Sequence, residues 1–150
     1  MGCIKAEAGQ AEKGLEYHKQ HLKRIQNLNL DDNPGVARAL NNVGIAYERS
    51  GDDEQALQCF EEALHDVGHR YQGNHPHVAA SLNNVGISHH YLGNYDKALK
   101  HYTAALKIRQ VLYPRNHPCV ADSRAKVILA CHALGSYHVA ISFISGRGIR

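Results

Sequence analysis

The residues of this 150-residue chain best suited to chemistry are its twelve histidines and four cysteines, and metal binding is what they would do. Spacing decides whether they can. His65 and His69 stand four apart, one helical turn, and His18 and His21 stand three apart. Two ligands on one helix supply half a site, whereas a closed zinc site takes four and usually announces itself by paired cysteines or an HExxH run. Neither is present. Cys3, Cys59, Cys119 and Cys131 are isolated from one another. They read as reduced, small hydrophobic residues rather than a disulfide framework. No metal and no cofactor is expected. Catalytic patterns are also missing: there is no GxSxG, no P-loop and no GxGxxG. The carboxylates are scattered as on solvated helix faces. No catalytic residue is assigned, and the chain reads as not an enzyme.

Acylation is the other chemistry on offer. Gly2 and Cys3 could carry a myristoyl and a palmitoyl chain, and two lipids anchor a protein stably where one does not. The start MGCIK is similar to that of Src-family kinases. The acylation motif wants Ser or Thr at position six, however, and Ala6 stands there, followed by the acidic Glu7. A membrane-attached adaptor acylated at Gly2 and Cys3 is therefore the alternative function, not the first. No apolar stretch approaches the roughly 20 residues of a membrane span, and no apolar signal core follows the N-terminus. A cytoplasmic location is expected. Lys and Arg number 17 against 14 Asp and Glu, a net charge of +3 with no basic run, so no nucleic-acid partner is expected. With 43% hydrophobic and 21% charged residues the composition is that of an ordinary folded domain.

What positions these residues is a repeat. Pro34, Pro76 and Pro118 are evenly spaced, 42 residues apart, and Val-Ala follows one residue after each. The run Leu40–Ile45 returns unchanged at Leu82–Ile87, while Gly51, Gly93 and Gly135 keep the same period, as do Ala56, Ala98 and Ala140. Aligned without a gap, 34–75 and 76–117 share 17 of 42 residues, which makes the period the strongest signal in the chain.

Each unit reads as two helices. Asn33, His75 and His117 precede prolines suited to a first helical position, where the missing N–H would have no partner anyway. Val36, Leu40, Val43 and Tyr47 step by three and four along one face. Gly51 stops the helix where a left-handed residue is wanted. Ala56, Leu57, Phe60, Ala63 and Leu64 form the face of a second helix, closed by the loop from Gln72 to His75. Gly44 and Gly86 fall inside a helix, where glycine costs about 1 kcal/mol against alanine, so a close approach of two helices is expected there. Shifting the frame back sets Gly9 under Gly51, Leu15 under Leu57 and Leu22 under Leu64. Residues 10–28 then form the second helix of an earlier unit, with Gly9 at its turn. The expected organisation is a single array over 1–150: a partial repeat at 1–33, repeats at 34–75 and 76–117, a partial repeat at 118–144 and a tail at 145–150. It reads as part of a longer array.

The arrangement Val43-Gly44, Tyr47, Gly51, Ala56, Phe60, Ala63 resembles the tetratricopeptide repeat family. The second unit repeats it as Val85-Gly86, Gly93, Ala98, Tyr102, Ala105, with His89 in the aromatic position. The 42-residue length is similar to kinesin light chain and nephrocystin-3 repeats, against a usual 34. The first link also resembles the repeats of G-protein-signalling modulators. The resemblance implies an all-α fold, a right-handed superhelical solenoid of antiparallel helix pairs. It also implies a non-enzymatic scaffold that binds a protein or peptide in a concave groove lined by the first helix of each unit.

By position the groove residues are Arg38, Asn41, Asn42, Ile45 and Glu48, then Asn83, Asn84, Ile87, His90 and Tyr91, then Asp122, Lys126, Leu129 and His132. The peptide-binding set is Arg38, Asn41, Asn42, Ile45, Asn83, Asn84, Ile87, Lys126 and Leu129. An amide both donates and accepts, so Asn42 and Asn84 can hold a peptide backbone whatever its side chains. The competing role is a hydrogen bond from Asn41 or Asn83 within the repeat stack. Arg38, Asn42, Asn84 and Lys126 also resemble four members of the carboxylate clamp of chaperone-binding relatives, but Asp122 holds the fifth place and would repel a carboxylate.

Overall fold

The computed structural model describes the backbone over residues 2–28 and 35–144, and side chains over 9–28 and 35–142. Two compact units divide it, Met1–Arg70 and Tyr71–Arg150. All regular structure among the described residues is α-helical. The first unit holds α1 (Gly2–Asn27), α2 (Gly35–Ser50) and α3 (Asp53–Arg70). The second holds α4 (Pro76–Tyr91), α5 (Tyr95–Leu112), α6 (Pro118–Ala133) and α7 (Tyr137–Ile144).

The helix pairs turn where the period places the glycines, and by one mechanism. Gly51, Gly93 and Gly135 have φ of 80°, 75° and 66°. At the first, the Gly51 N–H donates to the Glu48 carbonyl and the Asp52 N–H to the Tyr47 carbonyl, both at 3.0 Å. The same pair of bonds recurs from Gly93 and Asn94 to His90 and His89, and from Gly135 and Ser136 to His132 and Cys131. This is the Schellman closure, which satisfies helix-end carbonyls and requires a left-handed residue between the two bonds. The residue after each glycine is Asp, Asn or Ser, a type that favours starting a helix. Asp52 does so directly, its Oδ1 accepting from the Gln55 N–H at 3.2 Å.

Exit loops follow a second rule. Gly73 has φ 79°. His75 then caps α4, its Nδ1 accepting from the His77 N–H at 3.2 Å, with Pro76 in the first turn. His117 caps α6 in the same way through the Cys119 N–H at 3.2 Å. Each capping ring is held by a tyrosine four residues earlier. Tyr71 stacks on His75 with centroids 3.8 Å apart and planes 7° apart, and Tyr113 stacks on His117 at 4.4 Å and 16°. The repeated Asn-His-Pro is thus structural, as its period implied. The supporting tyrosines escaped the sequence reading. Asn33, Pro34 and the 145–150 tail lie outside the described residues.

Small residues mark the close helix contacts. A Cβ on Gly44 would stand 2.6 Å from the ring of Phe60, and one on Gly86 2.7 Å from the ring of Tyr102. Phe60 in the first unit and Tyr102 in the second are 1% and 2% exposed, flanked by Ala56, Ala63, Ala98 and Ala105, all fully buried. In the second unit Tyr102, Leu106, Val120, Val127, Ala130 and Cys131 form one hydrophobic cluster, with Ile87, Leu99 and Ile128 packed against it. His89, in the aromatic position, is buried and stacks on His101 at 5.5 Å.

One expectation is corrected. The frame set a turn at Gly9, but α1 runs unbroken from Gly2 to Asn27. Gln10 follows Gly9 where the true turns have Asp52, Asn94 and Ser136. Gln is not a favoured N-cap residue, and nothing at this point starts a new helix.

Candidate peptide-binding surface

The expected binding residues fall on both units. In the first, the helix α2 presents Arg38 to solvent and leaves Asn41 and Asn42 half-buried. Ile45 is exposed, unusually for a large aliphatic side chain on a packed helix. Asn42, Ile45, Ala46 and Arg49 on α2 face Gln10, Ala11, Gly14 and His18 on α1 across a cleft of about 180 Å³. A Cβ on Gly14 would meet nothing within 4 Å, so the space beside α1 is open. The cleft offers an amide that donates and accepts, an exposed aliphatic surface and a guanidinium. Farther along α1, the Lys19 ammonium sits 4.8 Å above the Tyr47 ring, a cation–π contact that ties α1 to α2.

The second unit treats equivalent positions differently. Asn83 is only 8% exposed, and its Oδ1 meets no hydrogen-bond donor among the described residues. Asn84 is half-buried. Ile87 packs against the hydrophobic cluster, whereas its counterpart Ile45 is exposed. Equivalent positions of the repeat thus differ in exposure between the two units. His90 is half-buried with its ring edge-on to Tyr95 at 5.0 Å, and Tyr91 is exposed. Leu129 is also exposed.

Lys126 is not a free cation. Its ammonium is bonded to Asp122, four residues earlier on α6. Asp122 also accepts from Arg109 of α5 at 3.1 Å, and the same Nη1 of Arg109 reaches the Ser123 hydroxyl at 2.7 Å and the Cys119 carbonyl at 3.0 Å. Burial alone would raise the Asp122 pKa; the bonds and charges of Lys126 and Arg109 outweigh it and hold the carboxyl below its ordinary value. This ionic joint between α5 and α6 escaped the sequence reading. Its signal was a local break in the repeat: Arg109, Asp122 and Lys126 replace Val67, Ala80 and Asn84. The cleft residues of α1 were missed too, because that segment was read against the frame rather than for its own small face.

Neither Cys59 nor Cys131 has a nucleophilic setting. Burial, helped by Glu62 and partly opposed by Lys19, pushes the Cys59 thiol up to about 11, and burial raises Cys131 as well. Gly2 and Cys3 fall in α1, and their side chains lie outside the described ones. No helix among the described residues is long and apolar enough to cross a membrane.

Paired helices closed by one glycine turn, with a small residue under an aromatic ring, define a helical-repeat protein. The family model for the tetratricopeptide repeat matches residues 1–65 and 69–144, and the chain belongs to that family. Comparison with curated proteins finds no match. Among solved structures the chain is similar to the TPR-like repeats of a kinesin-light-chain-type protein from Podosopora anserina. The TM-score is 0.84 at 19% identity, covering 93% of this chain and 66% of that one. It is likewise similar to BtubC (BKLC) from P. vanneervenii, with TM-score 0.83 and 22% identity over 93% of this chain and 56% of the other. A Rap protein complexed with Competence and Sporulation Factor matches at TM-score 0.76 and 18% identity, over 94% and 38%. Identities this low establish the fold, an all-α solenoid of TPR-like helix pairs. The chain spans about two-thirds or less of the length of each of these relatives.

Proposed function

We propose that this chain is a non-enzymatic protein-interaction scaffold of the cytoplasm that holds a peptide or linear motif on the first helix of its repeats. The observation that carries the reading is the cleft between α1 and α2, which opens at Asn42 and Ile45, two residues the repeat singles out. There a peptide backbone can exchange hydrogen bonds with the Asn42 amide while an apolar side chain covers Ile45. Asn84 occupies the same position in the next repeat and offers a peptide the same amide there. The Rap protein found in complex with Competence and Sporulation Factor lends support from a related fold. Arg38, Asn41, Asn83, Ile87, Lys126 and Leu129 complete the proposed set. Ile87 contributes only what the core leaves open, and Lys126 only what Asp122 leaves of its charge.

The test is a peptide-display selection on the whole chain, followed by affinity and melting measurements on Asn42→Ala, Asn84→Ala and the double variant. Buried amide contacts are worth roughly 0.5–1.5 kcal/mol each, so the double variant is expected to bind roughly ten-fold more weakly with little change in melting. A double variant that melts earlier yet binds as tightly would assign both asparagines to the helix stack.

A further inference from the structure

The histidine pair of α3 is closer to a metal site than its spacing alone implied. His65 and His69 are both exposed, and their Nε2 atoms stand 3.1 Å apart, with ring centroids at 4.4 Å and planes at 66°. We propose that His65 and His69 form a bidentate site for a divalent transition-metal cation such as Cu²⁺, Ni²⁺ or Zn²⁺ on the open face of α3. The proposal is independent of the peptide-binding reading.

The geometry carries it. Imidazole nitrogens bind such cations at about 2.0–2.1 Å, so two nitrogens 3.1 Å apart subtend about 98° at a shared ion, between square-planar and tetrahedral angles. At 3.1 Å the two Nε2 atoms can share one proton, donated by whichever ring carries it. A cation takes the place of that shared proton, and the rings need only turn until both lone pairs meet it. The helix beneath is already fixed: Phe60, Ala63 and Val67 are buried in the first unit, and Asp52 caps the start of α3. The ligands are thus held one turn apart before the ion arrives, which lowers the entropic cost of binding.

The surroundings define how far the site goes. Asp66, between the two histidines, gives both oxygens to Arg70 at 3.2 and 3.3 Å. It is therefore neither a third ligand nor a free base. Among the described residues no group of three or more His, Cys, Asp or Glu could hold an ion. The remaining coordination positions belong to water or to a ligand from another molecule. Other histidine pairs are arranged differently. His75 and His77 lie 5.2 Å apart with His75 Nδ1 committed to a helix cap, and His89 and His101 stack at 5.5 Å.

Titration of the full chain with Zn²⁺ or Ni²⁺ by calorimetry, and with Cu²⁺ followed by electron paramagnetic resonance, tests the site. The expected result is one tightest equivalent whose Cu²⁺ spectrum shows two equatorial nitrogens. His65→Gln and His69→Gln should each weaken that equivalent about ten-fold or more, since a lone imidazole loses the effective concentration of its neighbour. His138→Gln, on the exposed side of α7, should leave it unchanged. Wild-type affinity in either α3 variant, or a spectrum with one nitrogen in the parent, overturns the proposal. If a variant fails to fold, nuclear magnetic resonance of the parent decides. Cu²⁺ below one equivalent should broaden the His65 and His69 ring signals first, and broadening that begins elsewhere refutes the site.

Discussion

The Gly86 Cα faces the Tyr102 ring so closely that one added methyl group would lie 2.7 Å from two ring carbons. The ring is buried and has no room to swing away, since Tyr102 belongs to the hydrophobic cluster of its unit. Gly86→Ala should therefore destabilise by about 1–3 kcal/mol, the usual range for overpacking, although alanine is the better helix former. Thermal melting checks this. A double-mutant cycle with Tyr102→Leu should show strong coupling, because the two side chains compete for one volume. Unchanged melting for Gly86→Ala would mean the two helices do not approach as described.

Two other glycines should respond in opposite directions. Gly93 has φ 75° and no atom within 4 Å of an added Cβ, so Gly93→Ala suffers only the backbone, at about 1 kcal/mol. Gly68 lies on the exposed side of α3, equally open but helical. Gly68→Ala should stabilise by about 0.4–1 kcal/mol. Melting curves of the two variants should bracket the parent.

The joint at Asp122 should give stability a pH dependence in acid. Its folded pKa is depressed below the ordinary value of 3.8. The ionised form is thus favoured in the folded state, and the stabilisation is complete above that ordinary value. It is lost as pH falls through the lower, folded value. Asp122→Asn should flatten this limb of a stability–pH curve. At neutral pH the cost should be small, since the Asp122 side chain is half exposed and solvent screens it. A variant whose acid limb overlays the parent's would show that Asp122 is not coupled to folding.

Cys59 should be a poor nucleophile. With its thiol pushed up to about 11, only about one part in a thousand is thiolate at pH 8. Alkylation followed by mass spectrometry should show the rate at this residue rising tenfold per pH unit through pH 9. Glu62→Gln should speed the reaction and Lys19→Ala slow it, because the carboxylate disfavours the thiolate and the ammonium favours it.

Much of the fold was legible because its determinants are local. A left-handed residue, a capping side chain and an apolar step of three or four act within one turn of chain. Gly51, Gly93, Gly135, His75 and His117 could be placed from their period alone. The packing glycines were legible for a related reason: a glycine kept inside two helices signals a neighbour too close for a Cβ. The Gly9 turn failed because one glycine was read without the capping residue that must follow it.

Sequence alone determined the period, the all-α class, the turns and the positions that face a neighbouring helix. Tertiary structure alone decided which of two identical positions is free. Ile45 is exposed beside the α1 cleft, whereas Ile87 is packed on a core that includes Leu106 and Val127. Tertiary structure also joined Arg109 to Asp122 across two helices and brought the His65 and His69 nitrogens within 3.1 Å. The physical reason is that a repeat specifies backbone geometry, which local contacts enforce. The exposure and partners of a side chain depend on rotamers and on residues from another helix, which no single period contains.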